Sequence, residues 1–163
     1  LDTAVDILAR LWNQNEDVRL VVVGDGSDRE KMAAYADQQG VGQAIEFRGY
    51  QENVRAQYRE ADLLVMPSRW EGFGLSALEA AACGTIVIAS RVGGLKEVVC
   101  HRETGFTCPP EDVSCFAEHI QELLQDSALR QRMAQNAVER VRERFTPEKA
   151  FKEYEKVCRR CLN

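Results

Sequence analysis

The feature that most limits what this chain can fold into is an alternation of short apolar runs with helical patterns over its first two thirds. Asp2 or Thr3 can cap an opening helix in which Val5, Leu8, Leu11 and Trp12 recur at helical spacing. Residues 18–23 then form an apolar run of buried-strand length that ends in Gly24-Asp25-Gly26. A helix over 27–39 stops at Gly40, and a short strand over 44–47 closes at Gly49. A short helix over 51–59 leads into a strand over 61–66, stopped by Pro67. The alternation continues with a helix over 74–83, a strand over 85–89, a short helix over 93–99 and a last strand over 105–108 before Pro109-Pro110. From Glu111 onward the pattern is helical: 114–124, 127–145, and a third helix opened by Pro147 and running to 158.

Short apolar strands that alternate with helices predict a parallel sheet covered on both faces. The expected fold is therefore α/β, a Rossmann-like doubly wound parallel sheet with extra C-terminal helices. Right-handed crossovers place the C-terminal ends of the strands along one edge, where such sheets bind ligands. With no linker, repeat or low-complexity segment, residues 1–163 read as one domain. The chain begins on Leu1 and enters a helix directly, the pattern of a sheet whose preceding strand lies elsewhere; the expectation is an excised piece.

A formal net charge of −5 argues against a nucleic-acid-binding surface. No apolar run approaches the roughly 20 residues needed to cross a bilayer, and no signal-peptide pattern opens the chain. The six cysteines (Cys83, Cys100, Cys108, Cys115, Cys158, Cys161) have no disulfide-framework spacing. They read as apolar fillers and reduced thiols of a cytosolic protein. Cys158-x-x-Cys161 has a metal-motif spacing but lacks the partner pair that a four-ligand site requires.

Three segments should meet on the ligand edge: Gly24-Asp25-Gly26, the stretch 68–74, and Val92-Gly93-Gly94. Each follows a strand and precedes a helix, so backbone N–H groups and the helix dipole favour an anion there. Gly24 and Gly26 serve a tight turn as readily as a ligand contact. Arg29 stands where a dinucleotide fingerprint would have its third glycine, and there is no Gly-Lys-Ser/Thr phosphate loop.

The middle segment says more. Glu71 and Glu79 lie eight residues apart and flank Gly72-Phe73-Gly74-Leu75-Ser76. A helix that starts near Gly74 points its first N–H groups at an anion and carries Glu79 one turn, roughly 6 Å, further along. Carboxylates only accept hydrogen bonds, and polyols supply the donors. The plain alternative is a solvated Glu71 and a surface charge at Glu79. Against it, Leu78 and Ala80-Ala81-Ala82 suggest a helix packed on most sides, in which a charge needs a partner.

The stretch from Pro67 to Ala80 closely resembles the Glu-x7-Glu signature of glycosyltransferase family four, the "group 1" glycosyltransferases. The likeness continues through Ala82-Cys83-Gly84-Thr85, Gly93-Gly94-Leu95-Lys96-Glu97-Val98 and Glu103-Thr104-Gly105-Phe106, with Val22-Val23-Gly24-Asp25-Gly26 upstream. The resemblance implies one half of a GT-B fold, the C-terminal domain that binds a nucleotide-sugar donor. It implies retention of anomeric configuration and no cofactor or metal, consistent with the lack of an Asp-x-Asp. Carried over, Glu79 would bind ribose hydroxyls, while the backbone of Gly72, Phe73, Gly74 and Leu75 with the Ser76 hydroxyl would hold diphosphate and sugar. Glu71 would bind sugar hydroxyls and support positive charge at the anomeric carbon. Arg48, Gly49 and Tyr50 would line the nucleotide base, with Gly24 and Gly26 as further phosphate or nucleotide contacts.

The same resemblance implies a partner domain for the acceptor, and an Arg and a Lys that grip the diphosphate from positions before Leu1. Without them the chain alone should bind donor weakly and turn it over negligibly. Ile86 and Lys96 stand where the family commonly has proline. His101 and His119 match no catalytic position. Arg130, Arg132, Arg140, Arg142 and Arg144 read as a solvated face interleaved with Glu139 and Glu143, a face also suited to docking the absent domain or an anionic lipid surface. Two competing readings are a stand-alone sugar-nucleotide-binding or regulatory module and half of a GT-B sugar phosphorylase.

Overall fold

A computed structural model describes residues 1–14 and 16–161. Its elements follow the expected alternation: α1 (Asp2–Asn13), β1 (Leu20–Val23), α2 (Arg29–Gln38), β2 (Ile45–Gly49), α3 (Val54–Glu60), β3 (Leu63–Met66), α4 (Leu75–Ala82), β4 (Ile86–Ser90), α5 (Leu95–Val98) and β5 (Gly105–Cys108). Three helices then close the chain: α6 (Val113–Gln125), α7 (Ser127–Arg144) and α8 (Pro147–Cys161). All strand pairs are parallel, and the fold is the expected Rossmann-like α/β arrangement. The ladder falls into two parts, β1–β2 and β3–β4–β5.

Local chemistry explains where boundaries differ from the sequence pattern. Strand β1 starts at Leu20, not Val18, because the Val18 carbonyl accepts the Trp12 indole N–H (2.9 Å) instead of a ladder bond. Leu1, not Asp2 or Thr3, occupies the cap of α1; Asp2 sits in the first turn, where its Oδ1 accepts the Thr3 N–H at 2.9 Å. Four later helices carry side-chain caps of the usual kind, and at α8 the Thr146 hydroxyl accepts the Lys149 N–H at 3.4 Å. Asn53 accepts from Ala56 N–H, Asp112 from Cys115 N–H and Asp126 from Leu129 N–H.

Helix α1 joins the two ladders. Ile7 and Leu11 pack in a core with Ile86, Ile88 and Phe106 of β4–β5 and Phe116 of α6. Val5, Leu8 and Ala9 pack in another with Ala36 of α2 and with Val41 and Ala44 beside β2. Strands β4 and β5 are buried at every residue, as parallel strands covered on both faces should be. Strand β3 is apolar throughout, yet each of its four residues stays partly exposed.

One expectation is corrected. The cysteines are not all free thiols: Cys108, at the end of β5, and Cys115, in the first turn of α6, form a disulfide with a Cα–Cα distance of 5.8 Å. A seven-residue spacing across two different elements is no sequence signal for a bridge. Cys83, Cys100 and Cys158 are free, and the side chain of Cys161 lies outside the described residues.

Asp126 closes α6 with its backbone N–H, which donates to the Glu122 carbonyl, and caps α7 with its side chain. Asp126→Ala should therefore lower unfolding free energy by about 1 kcal/mol while Asp126→Asn costs only a few tenths. Urea denaturation of the three proteins, followed by far-ultraviolet dichroism, measures the difference.

Candidate active site

Parallel pairing puts the ends of β3, β4 and β5 on one edge, and their loops carry the candidate chemistry. Two of the three predicted segments meet there backbone to backbone. The Gly94 N–H donates to the Gly72 carbonyl at 3.0 Å. A Cβ on Gly94 would lie 2.5 Å from Phe73 Cα and 2.6 Å from its carbonyl oxygen, and one on Gly93 would overlap the Glu71 carbonyl. Gly74 adopts a left-handed conformation (φ 91°, ψ 51°) at the cap of α4, a geometry glycine takes at little cost. The third segment goes elsewhere: Gly24 N–H donates to the Gly49 carbonyl at 2.8 Å, so Gly24-Asp25-Gly26 joins the turn after β2.

Within α4, Leu78 N–H is bonded to the Gly74 carbonyl at 3.1 Å. The N–H groups of Leu75, Ser76 and Ala77 precede it and form the donor end of the helix. The Glu71 side chain is half-buried, and its Oε1 accepts the Gly72 N–H at 3.1 Å. Glu79 departs from expectation. Ala77, Ala80 and Ala81 take the core face of α4, and Glu79 is exposed. Its partner is Tyr58 of α3, whose hydroxyl donates to Glu79 Oε2 at 3.1 Å.

Tyr58 had no signal in the sequence, since it lies 21 residues before Glu79 on a helix with no buried residue. It is anchored by its carbonyl, which accepts the Thr85 hydroxyl at 2.6 Å. Burial pushes the Tyr58 phenol up in pKa, an effect its hydrogen bond with Ser76 opposes and the Glu79 carboxylate reinforces. Ser76, Glu79 and Tyr58 are thus one polar group at the start of α4. Three exposed apolar side chains flank it: Trp70 (81% exposed), Phe73 and Leu75.

The turn after β2 places Arg48 differently from a base-contacting side chain. Its guanidinium donates to Glu46 (2.9 Å), Gln57 (2.6 Å) and Glu60 (2.6 Å), which ties β2 to α3. Those contacts hold the Arg48 pKa above its ordinary range and lower those of Glu46 and Glu60. Tyr50 next to it is 79% exposed. Of the late arginines, two have structural duties. Arg130 donates to the Leu124 carbonyl at 3.0 Å at the end of α6, and Arg140 to the Glu97 carbonyl at 2.6 Å after crossing to α5. His101 is exposed overall, but partial desolvation of its ring, with the neighbouring His119, Arg102 and Arg91, lowers its pKa. Among the described residues, only Cys108, Cys115 and His119 come close enough to share an ion, and they lie outside this cradle.

The site sits in a fold shared with sugar transferases. The sequence pattern of the glycosyl transferases group 1 matches residues 1–140, and the chain belongs to that family. It is 36% identical over 141 residues to N-acetyl-alpha-D-glucosaminyl L-malate synthase of Bacillus anthracis, covering 86% of this chain and 37% of that protein. The chain thus spans little more than a third of that relative's length. Sucrose-phosphate synthase of Thermosynechococcus elongatus superposes with a TM-score of 0.86 at 33% identity over 97% of this chain and 42% of that one. The C-terminal domain of a group 1 family glycosyltransferase (LpcC) of Francisella tularensis superposes with a TM-score of 0.79 at 28% identity, over 90% of this chain and 79% of that one. The last comparison matches the fold to one half of a GT-B enzyme.

Arg69 ties this edge together. It donates to Asp2 Oδ2 of α1 and to Glu111 Oε1 before α6, each at 2.7 Å. The Arg69 hydrogen bond, with the Thr3 N–H, holds the Asp2 carboxyl down to about 2. The unfolded chain keeps an aspartate near 3.9. The stabilisation is therefore complete above about pH 4 and lost as pH falls toward 2. Its size should stay below about 1 kcal/mol, because both side chains are well exposed. Urea midpoints of the parent and Asp2→Asn should differ at neutral pH and converge between about pH 4 and pH 2.

Proposed function

We propose that this chain is the donor-binding half of a retaining glycosyltransferase that moves a sugar from a nucleoside diphosphate sugar to an acceptor hydroxyl. The observation that carries the reading is the cradle itself. A helix start with donor N–H groups lies behind a Gly72–Gly74 backbone fixed by Gly93-Gly94, with the Glu71 carboxylate on the Gly72 N–H and Glu79 one turn along the helix. The helix start suits a diphosphate. Glu79, one turn in, takes the ribose hydroxyls through the carboxylate lone pairs that Tyr58 does not use. Glu71 takes sugar hydroxyls and supports the positive charge that grows at the anomeric carbon as the diphosphate departs.

The Ser76 hydroxyl adds a diphosphate contact. With Arg48 held by Glu46 and Glu60, contact with the base falls to Tyr50 and the Gly24, Gly26 and Gly49 backbone. The leaving diphosphate serves as base for the acceptor hydroxyl on the same face, which retains configuration. Transfer in this reading uses no metal and neither histidine. Most of the acceptor site comes from a second domain, and the chain alone binds donor weakly without measurable turnover. Helix α8 supports such a partner, since it presents Phe151, Tyr154 and Val157 to solvent at helical spacing. The reaction needs no membrane span, and no helix among the described residues is long and apolar enough to be one.

Calorimetric titration of UDP, GDP, ADP and their sugar conjugates tests the assignment. One nucleotide series should bind, and Glu79→Ala should weaken it by about 10- to 100-fold, the loss of hydrogen bonds to a charged group. An unchanged affinity in Glu79→Ala, or no binding by any of the three, would sink the ribose assignment. Sugar transfer by this chain alone would overturn the need for a second domain.

Glycine substitutions test the geometry separately. Gly94→Ala should abolish nucleotide binding and cost about 1–3 kcal/mol by overpacking against Phe73. Gly26→Ala, whose methyl meets nothing within 4 Å, should leave stability within about 0.5 kcal/mol of the parent.

A further inference from the structure

The end of β5 holds a second cluster that sugar transfer does not use. The Cys108 and Cys115 sulfurs and one imidazole nitrogen of His119 all lie within 4.8 Å of one another. Cys108 is fully buried, while Cys115 and His119 are partly buried and four residues apart on α6, one turn along the same face. The position of Cys115 is fixed by its N–H, which donates to the Asp112 cap at 3.0 Å. His119 is held on two sides: its ring stacks on Phe106 with centroids 4.0 Å apart, and Glu122 Oε2 stands 3.2 Å from its Nδ1. An imidazole oriented by stacking and by a carboxylate is the usual setting of a metal-binding histidine.

A second observation comes from β4. Ser90 is registered beside Cys108, fully buried, and its hydroxyl has no hydrogen-bond partner, alone in this among the buried side chains of the described residues. A disulfide sulfur offers that hydroxyl little, whereas a thiolate or a metal-bound water offers it an acceptor.

We propose that, once the Cys108–Cys115 bond is reduced, these two cysteines and His119 form a site for a thiophilic divalent cation of the zinc class. A thiol or phosphine reductant supplies two electrons and the disulfide becomes two thiols: two reductant thiols give up their hydrogens and become a disulfide, or a phosphine becomes its oxide with the oxygen and both protons taken from one water. The cation then takes two thiolates and one neutral imidazole, releasing two protons. Two thiolate charges cancel the cation's charge, as a partly buried site requires. Three protein ligands leave the fourth tetrahedral position to water. The disulfide and the metal-bound form exclude each other, because both use the same sulfurs.

The test uses the chain with Cys158→Ser and Cys161→Ser, which removes the other closely spaced pair. After phosphine reduction and anaerobic desalting, zinc is titrated against a chromophoric chelator and cobalt is added in parallel. One equivalent should bind, with thiolate-to-cobalt charge-transfer absorption, and the oxidised protein should bind none. Glu122→Gln should weaken zinc about 10-fold, while Cys115→Ser and His119→Gln should each weaken it by more than about 100-fold, beyond a supporting residue's effect. Dichroism confirms that each variant folds. Substoichiometric zinc, or ligand variants that bind as tightly as the parent, would show that the cysteines form a disulfide and nothing more. Absence of the cobalt–thiolate absorption in the parent overturns the proposal even if every variant misfolds. Nucleotide titration of the same protein keeps this outcome separate from the donor-site reading, since no residue is shared.

Discussion

The contact between the Gly93-Gly94 turn and the Glu71–Phe73 loop governs the candidate active site, because it is made by main chain on main chain. Neither partner can be moved by a rotamer change, and no side chain fits between them. The packing continues beneath: a Cβ at Gly74 would lie 2.6 Å from Leu95 Cδ2, and Leu95 is fully buried. The start of α4 and the start of α5 are therefore locked to each other through glycines. This is how a loop between a strand and a helix, ordinarily mobile, can hold its N–H groups in a fixed direction. Preorganised donors of that kind need no rearrangement when charge develops on a ligand.

A second dependence runs through α1. The two ladders share no described strand pairing, and a helix with one face in each core joins them. At the ligand edge Arg69 connects the start of α1 to the β3 loop and to the segment before α6. The turn after β2, where a nucleotide base would lie, and the start of α4, where its phosphates would lie, are spaced by this packing. A change inside α1 would alter that distance without touching either end.

Strand and helix order was legible because parallel strands buried on both faces are written as apolar runs, and the turns between them as glycine and proline. The edges of elements were less so. Val18 is apolar enough for a strand, but its carbonyl is used by Trp12. The two carboxylates were legible from spacing, and the convergence of 68–74 with 92–94 from topology. Arg48 was not, since sequence cannot show that Glu46 and Glu60 surround a cation. Cys108 and Cys115 were missed for a similar reason: a strand end and a helix start come together only in three dimensions.

Glu79 shows how a candidate site can be reached through an incorrect premise. Its small apolar neighbours suggested a buried charge in need of a partner, yet those neighbours turn to the core and leave the carboxylate in solvent. Exposure suits a binding role better than burial does. A buried carboxylate would have its lone pairs satisfied internally or would resist ionisation, whereas this one has, among the described residues, a single protein partner, Tyr58, on one oxygen. Tyr58 is held in turn by Thr85 at the other end of α4. The phenol fixes the direction of the carboxylate, and its remaining acceptors face water that hydroxyl donors can replace at little cost. Orientation by one neighbour and competition only with solvent is the arrangement a reversible polyol contact requires.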